Sequence, residues 1–530
     1  MFKKVTALFI SILCVLACVA VPAAAEQADI TLDWNNYDEA ASVLGSYKQL
    51  RVTYNTQDYI TWNIPEMESG NYEVIFYGGA QISGSEPLTN AEKTKTMPFL
   101  VEVGGSTLVS EIPLTGNNAY DYNDNKPGGG NVGWTTMVEK SAGIVALDGS
   151  ATTLKFTHLG YNMTTRYCTI TLRKVGAYDP VSVYRYTASF DSYTDAKLTK
   201  TDGLARVNDW LSWDIDLAYD GNYEVFFLGG AETGYLTGMN FTVEITPKDT
   251  EDAGSFSGTA LCAGANSNGN KQGRLTRTIN EIGRLPMQSG AYTITFTDNG
   301  PNAATEVSQY NKIYLVRTGA YSAEEAYSFD LKFNEFTTKD TNDSSGVYAD
   351  DYVEWASITP AYDGNYEVYF TGGAQSSTEW NHMNFTVAVG DQSISGTAPW
   401  TGTSSKNYLG NSVSNAGWST LRRTYVDIVS LRAGETYTVR FTNTAGASTR
   451  LSNSYLRFKR KGAIDPAEIY DFTVAKDAAY DKEIGNEAYP TSVYKDQWLK
   501  WQIEVAYDGV YDIYFTGGAM SNTEGTKDSY

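Results

Sequence analysis

A long internal repeat constrains this chain more than any other feature. The stretch Asn71-Tyr72-Glu73-Val74-Ile75-Phe76-Tyr77-Gly78-Gly79-Ala80 recurs at 222–231, at 365–374 and, beginning with Val510, at 510–519. The closing alanines, Ala80, Ala231, Ala374 and Ala519, stand 143 to 151 residues apart. Trp62, Trp213, Trp355 and Trp501 keep the same register upstream, each three residues after another aromatic: Tyr59, Trp210, Tyr352 and Trp498. Later blocks repeat too. Met97-Pro98-Phe99 matches Met239-Asn240-Phe241 and Met383-Asn384-Phe385, and Phe156 matches Phe296 and Phe441. Each complete copy closes on Gly-Ala, at Gly176, Gly319 and Gly462.

The copies run 26–179, 180–321, 322–465 and 466–530. Units of this size are whole domains, because a solenoid repeat is only about 20–45 residues. The joints are short and poor in Gly and Ser, so a semi-rigid string of beads is expected. The third copy runs on from Gly364 to Gly462, whereas from the matching Gly509 the chain reaches only Tyr530. The last copy reads as a partial one, and the chain as a fragment of a longer protein.

Within a copy the apolar pattern has period two. Trp213, Ile215 and Leu217 alternate with Asp214 and Asp216. Tyr219-Asp220-Gly221-Asn222 is turn chemistry, and Tyr223, Val225 and Phe227 then share one face. This reads as a hairpin. No segment after the first 25 residues holds a 3.6 period. Many short strands with Gly, Asn and Asp turns imply an all-β fold of tandem β-sandwich domains of jelly-roll type.

The first 25 residues read as a signal peptide. Lys3 and Lys4 precede the apolar run Val5–Val21, and Pro22-Ala23-Ala24-Ala25 offers a cleavage site before Glu26. Lipoprotein processing at Cys18 is the rival reading. The protein is expected to be secreted or held at the cell surface, with no membrane insertion once the signal is removed. With 62 acidic and 40 basic residues, the net charge of −22 argues against nucleic acid and anionic membranes as partners. Two histidines, His158 and His382, leave little room for His-based catalysis. Past the signal only Cys168 and Cys262 remain, in different copies, and buried free thiols are expected.

The order of motifs resembles carbohydrate-binding modules of families 6 and 35. In the third copy it runs Trp355, Gly364-Asn365-Tyr366-Glu367-Val368, Gly417-Trp418, Leu431-Arg432-Ala433-Gly434, Tyr437–Phe441, and Asn453 before Tyr455-Leu456-Arg457-Phe458. The first copy has Gly133-Trp134 and Leu147-Asp148-Gly149. The resemblance implies jelly-roll sandwiches that bind polysaccharide without catalysis. It has departures. The E-x-E with which that family helps hold a structural calcium is missing from the starts Asp29–Asp33, Tyr184–Tyr186 and Ser328–Asp330. No cofactor is therefore assigned, and calcium stays open. The second copy reads Gly273-Arg274 where the others read Gly-Trp.

Sugar binding needs an aromatic face for a pyranose ring and a few polar anchors. Trp62, Trp213, Trp355 and Trp501 sit inside strands and are expected in the core, as are Tyr72, Tyr223, Tyr366 and Tyr511. Trp400 exchanges with Leu114 and Cys262 between copies, which also reads as core. Trp134 and Trp418 follow Gly/Asn-rich loops and are the leading candidates for stacking. Trp380 and Tyr235, in the loop after Gly-Gly-Ala, are the candidates for an opposing aromatic. Asn453 and Asn311, with Asn162 behind them, are candidate polar anchors. The acidic stretches Asp249–Asp252 and Asp340–Asp343 match no complete calcium-loop spacing and read as solvated turns. The rival function is a structural stalk of repeats at the cell surface, touching the cell wall or other surface proteins.

Overall fold

A computed structural model describes residues 29–40, 49–51, 57–200, 204–232, 238–248, 254–261, 277–300, 306–307, 311–341, 343–408 and 415–468, with scattered positions from 470 to 529. Two compact units divide them, the first made mainly of residues up to Tyr321 and the second mainly of residues from Ser322.

Each of the first three copies is the same antiparallel sandwich. In the first copy the eight main strands, in chain order, are Ile30–Asp33, Tyr59–Ile64, Gly70–Gly78, Thr96–Val103, Ser106–Pro113, Val138–Leu147, Thr152–His158 and Thr169–Gly176. Numbered so, one sheet has the order 1-8-3-6 and the other 2-7-4-5, with the short strand Glu39–Ala40 on the edge of the second. The same orders recur in the second and third copies. Two such four-strand sets closing one core is the jelly roll. The fold is all-β, and the helices among the described residues are single turns such as Val132–Thr135 and Ala416–Ser419.

One expectation needs correcting. Trp210–Leu217 and Gly221–Gly229 do not form a hairpin. The first pairs with Gly290–Asp298, and the second with Lys312–Gly319 in the opposite sheet. The alternation holds in both strands, because period two fixes which face is buried and says nothing of the partner. Asp220 braces the corner. Its carbonyl accepts from Arg317 Nε at 2.8 Å, and its carboxylate accepts the Ser289 N–H at 2.5 Å.

The cores follow the repeat. Phe76, Phe99 and Phe156 pack with ring centroids 4.9–5.4 Å apart. Phe227, Phe241 and Phe296 do the same in the second copy, and Phe370, Phe385 and Phe441 in the third. The strand tryptophans tie the two sheets together. Trp62 Nε1 donates to Asp33 O, Trp213 Nε1 to Ser189 O and Trp355 Nε1 to Lys332 O, at 2.9–3.0 Å. Tyr72, Tyr223 and Tyr366 are buried, and each hydroxyl donates to the carbonyl four residues back. These groups bury a large apolar surface while leaving no indole or phenol donor unpaired. Cys168 is a free, buried thiol, and burial pushes its pKa up. Cys262 lies outside the described residues.

The fourth copy differs. Tyr511 is exposed rather than buried, as are Trp498, Ile503, Val505 and Ile513, and Trp501 is half-buried.

Within the first unit, copies one and two are not separate beads. Leu100 and Leu159 of the first form one buried cluster with Leu228 and Tyr314 of the second. Val109, Phe226, Ile279 and Val316 pack against it. The Phe226 and Tyr314 rings stack at 4.9 Å. The matching outward positions of the third copy are Tyr369 for Phe226, Thr371 for Leu228, Arg457 for Tyr314 and Lys459 for Val316. The apolar face thus belongs to the second copy in particular. The joint is tied as well: Asn71 Oδ1 accepts the Asp179 N–H at 2.9 Å, and Asp179 caps Val181 and Ser182.

Candidate functional site

The loops at one end of copies one and three build the same cradle. In copy one, strand Gly70–Gly78 runs out into Gly79-Ala80-Gln81. Gln81 bridges to Gly116 on one side and Thr164 on the other. In copy three Gln375 bridges to Gly402 and Ser448. Thr115 Oγ1 accepts the Ala80 N–H at 2.9 Å and lies 2.5 Å from Gly133 O, while Thr401 Oγ1 meets Ala374 N and Gly417 O at 2.6 Å each.

This packing explains the glycines of both motifs. A Cβ on Gly79 would stand 2.2 Å from Gly133 O, and one on Gly373 would stand 2.3 Å from Gly417 O. The Gly-Trp turn is entered through an Asn in the left-handed region, Asn131 at φ +58° and Asn415 at φ +53°, a conformation that Asn tolerates better than most residues.

The cradle fixes both loop tryptophans. The Trp134 N–H donates to Gln81 Oε1 at 3.2 Å, and its indole Nε1 donates to Thr164 Oγ1 at 2.9 Å. The Trp418 N–H reaches Gln375 Oε1 at 3.4 Å, and its Nε1 lies 3.0–3.1 Å from the Ser448 hydroxyl and carbonyl. Trp134 is only 4% exposed and Trp418 7%. Neither offers a full open face to a sugar. Both lie buried within a loop cluster that holds other aromatics.

Those other aromatics were not singled out by sequence reasoning. In copy three Tyr348 is exposed and meets the Trp418 ring edge to face at 6.1 Å, its hydroxyl donating to Asp343 Oδ2. In copy one Tyr167, exposed and at φ +61°, stands beside Arg166, whose guanidinium lies 4.3 Å from its ring and 5.6 Å from that of Trp134. Tyr122 is exposed with Lys93 over its ring. The readable signal was the spacing itself: Thr164-Thr165-Arg166 and Ser448-Thr449-Arg450 occupy matching places after the seventh strand.

The remaining candidates divide. Trp380 is half-buried at φ +63°, with its ring 5.1 Å from Trp400. Trp400 is buried as expected, and its Nε1 donates to Ser376 O. Tyr235 lies outside the described residues. Asn453 reaches the Trp418 carbonyl at 3.4 Å, and its Oδ1 is buried with no partner. Asn311 is wholly buried and clamps Gly230 through both its N–H and its carbonyl. Both groups of its amide are thus engaged by the backbone of the Gly-Gly-Ala turn. Asn162 is an exposed turn residue at φ +56°. Asp343 is engaged by Ser345 and Tyr348 within its own turn, and 249–252 lie outside the described residues. Among the described residues no group of three metal-binding side chains comes together.

No protein-family model matches the chain, and no curated protein matches it in sequence. Among solved structures it is similar to PNGase F, a glycosylasparaginase from Flavobacterium meningosepticum, at 12% identity over 53% of this chain and 97% of that one, with a TM-score of 0.26. It is also similar to a Paenibacillus xanthan lyase, at 12% identity over 59% of this chain and 30% of that one, TM-score 0.18. A ruminal GH26 endo-β-1,4-mannanase matches at 16% identity over 31% of each chain, TM-score 0.17. Likenesses this slight carry no argument about activity.

Proposed function

We propose that this chain is an exported, non-catalytic, polysaccharide-binding protein whose sites are the loop ends of copies one and three. The observation that carries the reading is the doubled cradle. Two copies commit a bridging Gln, two close-packed glycines and a hydrogen-bonded indole to one loop geometry. Each places an exposed tyrosine beside that indole: Tyr167 by way of Arg166, and Tyr348 directly. Rigid aromatics set in a loop cluster suit a pyranose ring, because its C–H face packs on the ring while nearby polar groups take the hydroxyls. In copy three Asn453 also reaches the Trp418 carbonyl. Two weak sites on one chain would add through avidity. The acidic balance speaks against nucleic acid as a partner, and the leader-like first 25 residues favour export. No helix among the described residues is long and apolar enough to cross a membrane.

Affinity electrophoresis of the full chain on a panel of plant and microbial glycans tests this. Retardation on at least one glycan, reduced by Tyr348→Ala with Tyr167→Ala, is expected. A folded chain that no glycan retards would sink the reading.

One observation favours a second reading. The apolar junction between copies one and two stiffens the chain, as a stalk at the cell surface would require. In that case the tyrosine variants would change no interaction.

A further inference from the structure

We infer that the site in copies one and three is built for a glycan carrying oxyanions, carboxylate or sulfate, with Arg166 and Arg450 as the groups that recognise them. This rests on the reading above that those loop ends bind polysaccharide.

The inference begins with an unpaired cation. Arg166 is half-buried, its guanidinium lies over two aromatic rings, and its Nε is buried without a hydrogen-bond partner. No carboxylate among the described residues pairs with it. Several other arginines in these copies find acids. Arg457 grips Asp330 through two nitrogens at 2.7 and 2.8 Å, Arg440 meets Glu354, and Arg173 meets Asp29. A chain with 62 acidic residues has carboxylates to spare, yet none is placed here.

Geometry adds to this. A guanidinium stacked on aromatic faces has its planar edge pre-oriented, and that edge matches the two oxygens of a carboxylate or sulfate. Tyr167 is held at φ +61°, which a bulky residue adopts only under constraint, and its ring lies on the Arg166 guanidinium.

The copies supply an independent comparison. Arg450 occupies the same place in copy three, two residues after the group that holds the indole of Trp418, and no described carboxylate pairs with it either. Copy two has Ser308 at this position, and it is also the copy that reads Gly273-Arg274 instead of Gly-Trp. Arginine and loop tryptophan are present together or missing together.

The test uses the full chain and three probes of shared or related backbone: polygalacturonate, the same polymer fully methyl-esterified, and a sulfated galactan. Binding is measured at low and high salt. We expect at least tenfold tighter binding to an anionic polymer than to the esterified one, weakened by salt. Preference for polygalacturonate over the sulfated galactan would assign the carboxylate, and the reverse would assign the sulfate. Arg166→Gln with Arg450→Gln should bring the ratio of anionic to esterified affinity close to one, in a chain that circular dichroism shows to be folded. The matched Lys pair should restore the charge preference in part. Equal binding to charged and neutral polymers, insensitive to salt, would overturn the inference and leave polysaccharide binding intact. So would a Gln pair that loses neutral and charged polymers alike. A chain that binds no glycan of any charge would overturn both readings.

Discussion

Gln81 Oε1 accepts the backbone N–H of Trp134 at 3.2 Å, across 53 residues of chain. The same amide donates from Nε2 to Asn118 Oδ1 at 2.8 Å, so one buried side chain braces three segments of the loop cluster. Gln375 repeats the contact with Trp418. The orientation of each loop tryptophan therefore depends on a residue just past the Gly-Gly-Ala motif, not on its own loop alone.

Gln81→Ala should cost about 1–2 kcal/mol, because it removes the Nε2 bond to Asn118 and one of the two acceptors of the Trp134 N–H, the other being Asn131 O. Thermal unfolding of the full chain measures it. Gln81→Glu should cost at least as much, since it keeps an acceptor but loses the donor to Asn118 and buries a carboxylate.

Gly79→Ala and Gly373→Ala should each destabilise by about 3 kcal/mol or more, since the new methyl would meet a backbone carbonyl that cannot swing aside. Gly176→Ala is the control. A Cβ there meets nothing within 4 Å, and the melting temperature should hardly move.

The residue that follows Phe-Thr in the seventh strand is buried in every complete copy, yet it differs: His158, Asp298 and Asn443. Asp298 has one oxygen bonded to the Gly300 N–H and the other without a partner. Burial, with Asp209 nearby adding to it, raises its pKa to about 7. In the unfolded chain the carboxyl ionises near pH 4, about its ordinary value. The folded state thus holds the proton longer, and this group's contribution is greatest below about pH 4 and falls as pH rises to about 7, by roughly 4 kcal/mol. Asp298→Asn, the residue of copy three, should flatten this slope in denaturant titrations at stepped pH.

His158 predicts the opposite slope. Both ring nitrogens are buried without partners, and burial lowers its pKa to about 3. The unfolded chain takes up the proton near pH 6.5, so this contribution is intact above about pH 6.5 and is lost as pH falls towards 3. The same titration with His158→Asn should remove the loss at the acid end. A slope unchanged by the substitution would contradict the assignment.

Much of the fold was legible because strand periodicity and repetition report directly on burial. Trp62, Trp213 and Trp355 lie in the core where their alternation put them. Pairing was not legible, as Trp210–Leu217 shows, since a strand in either sheet of a sandwich has the same alternation. The packing of copy one on copy two was hidden in single residues, Leu228 and Tyr314, that stand out only when the copies are compared at positions known to face outward. The loop tryptophans illustrate a further limit. A Gly-rich loop implies exposure, but Thr164 and Ser448, 30 residues further on, capture the indoles and turn them inward. The exposed partners Tyr167 and Tyr348 come from other loops, and their nearness to Trp134 and Trp418 is a tertiary fact.

The central claim is that the loop ends of copies one and three bind polysaccharide. The most direct measurement is a titration of the full chain with soluble glycans, neutral and acidic, followed by tryptophan fluorescence. A saturable change that Tyr348→Ala and Tyr167→Ala together abolish, with melting temperature held, is the predicted result. A folded chain whose fluorescence answers to no glycan would contradict it and leave the stalk as the better account.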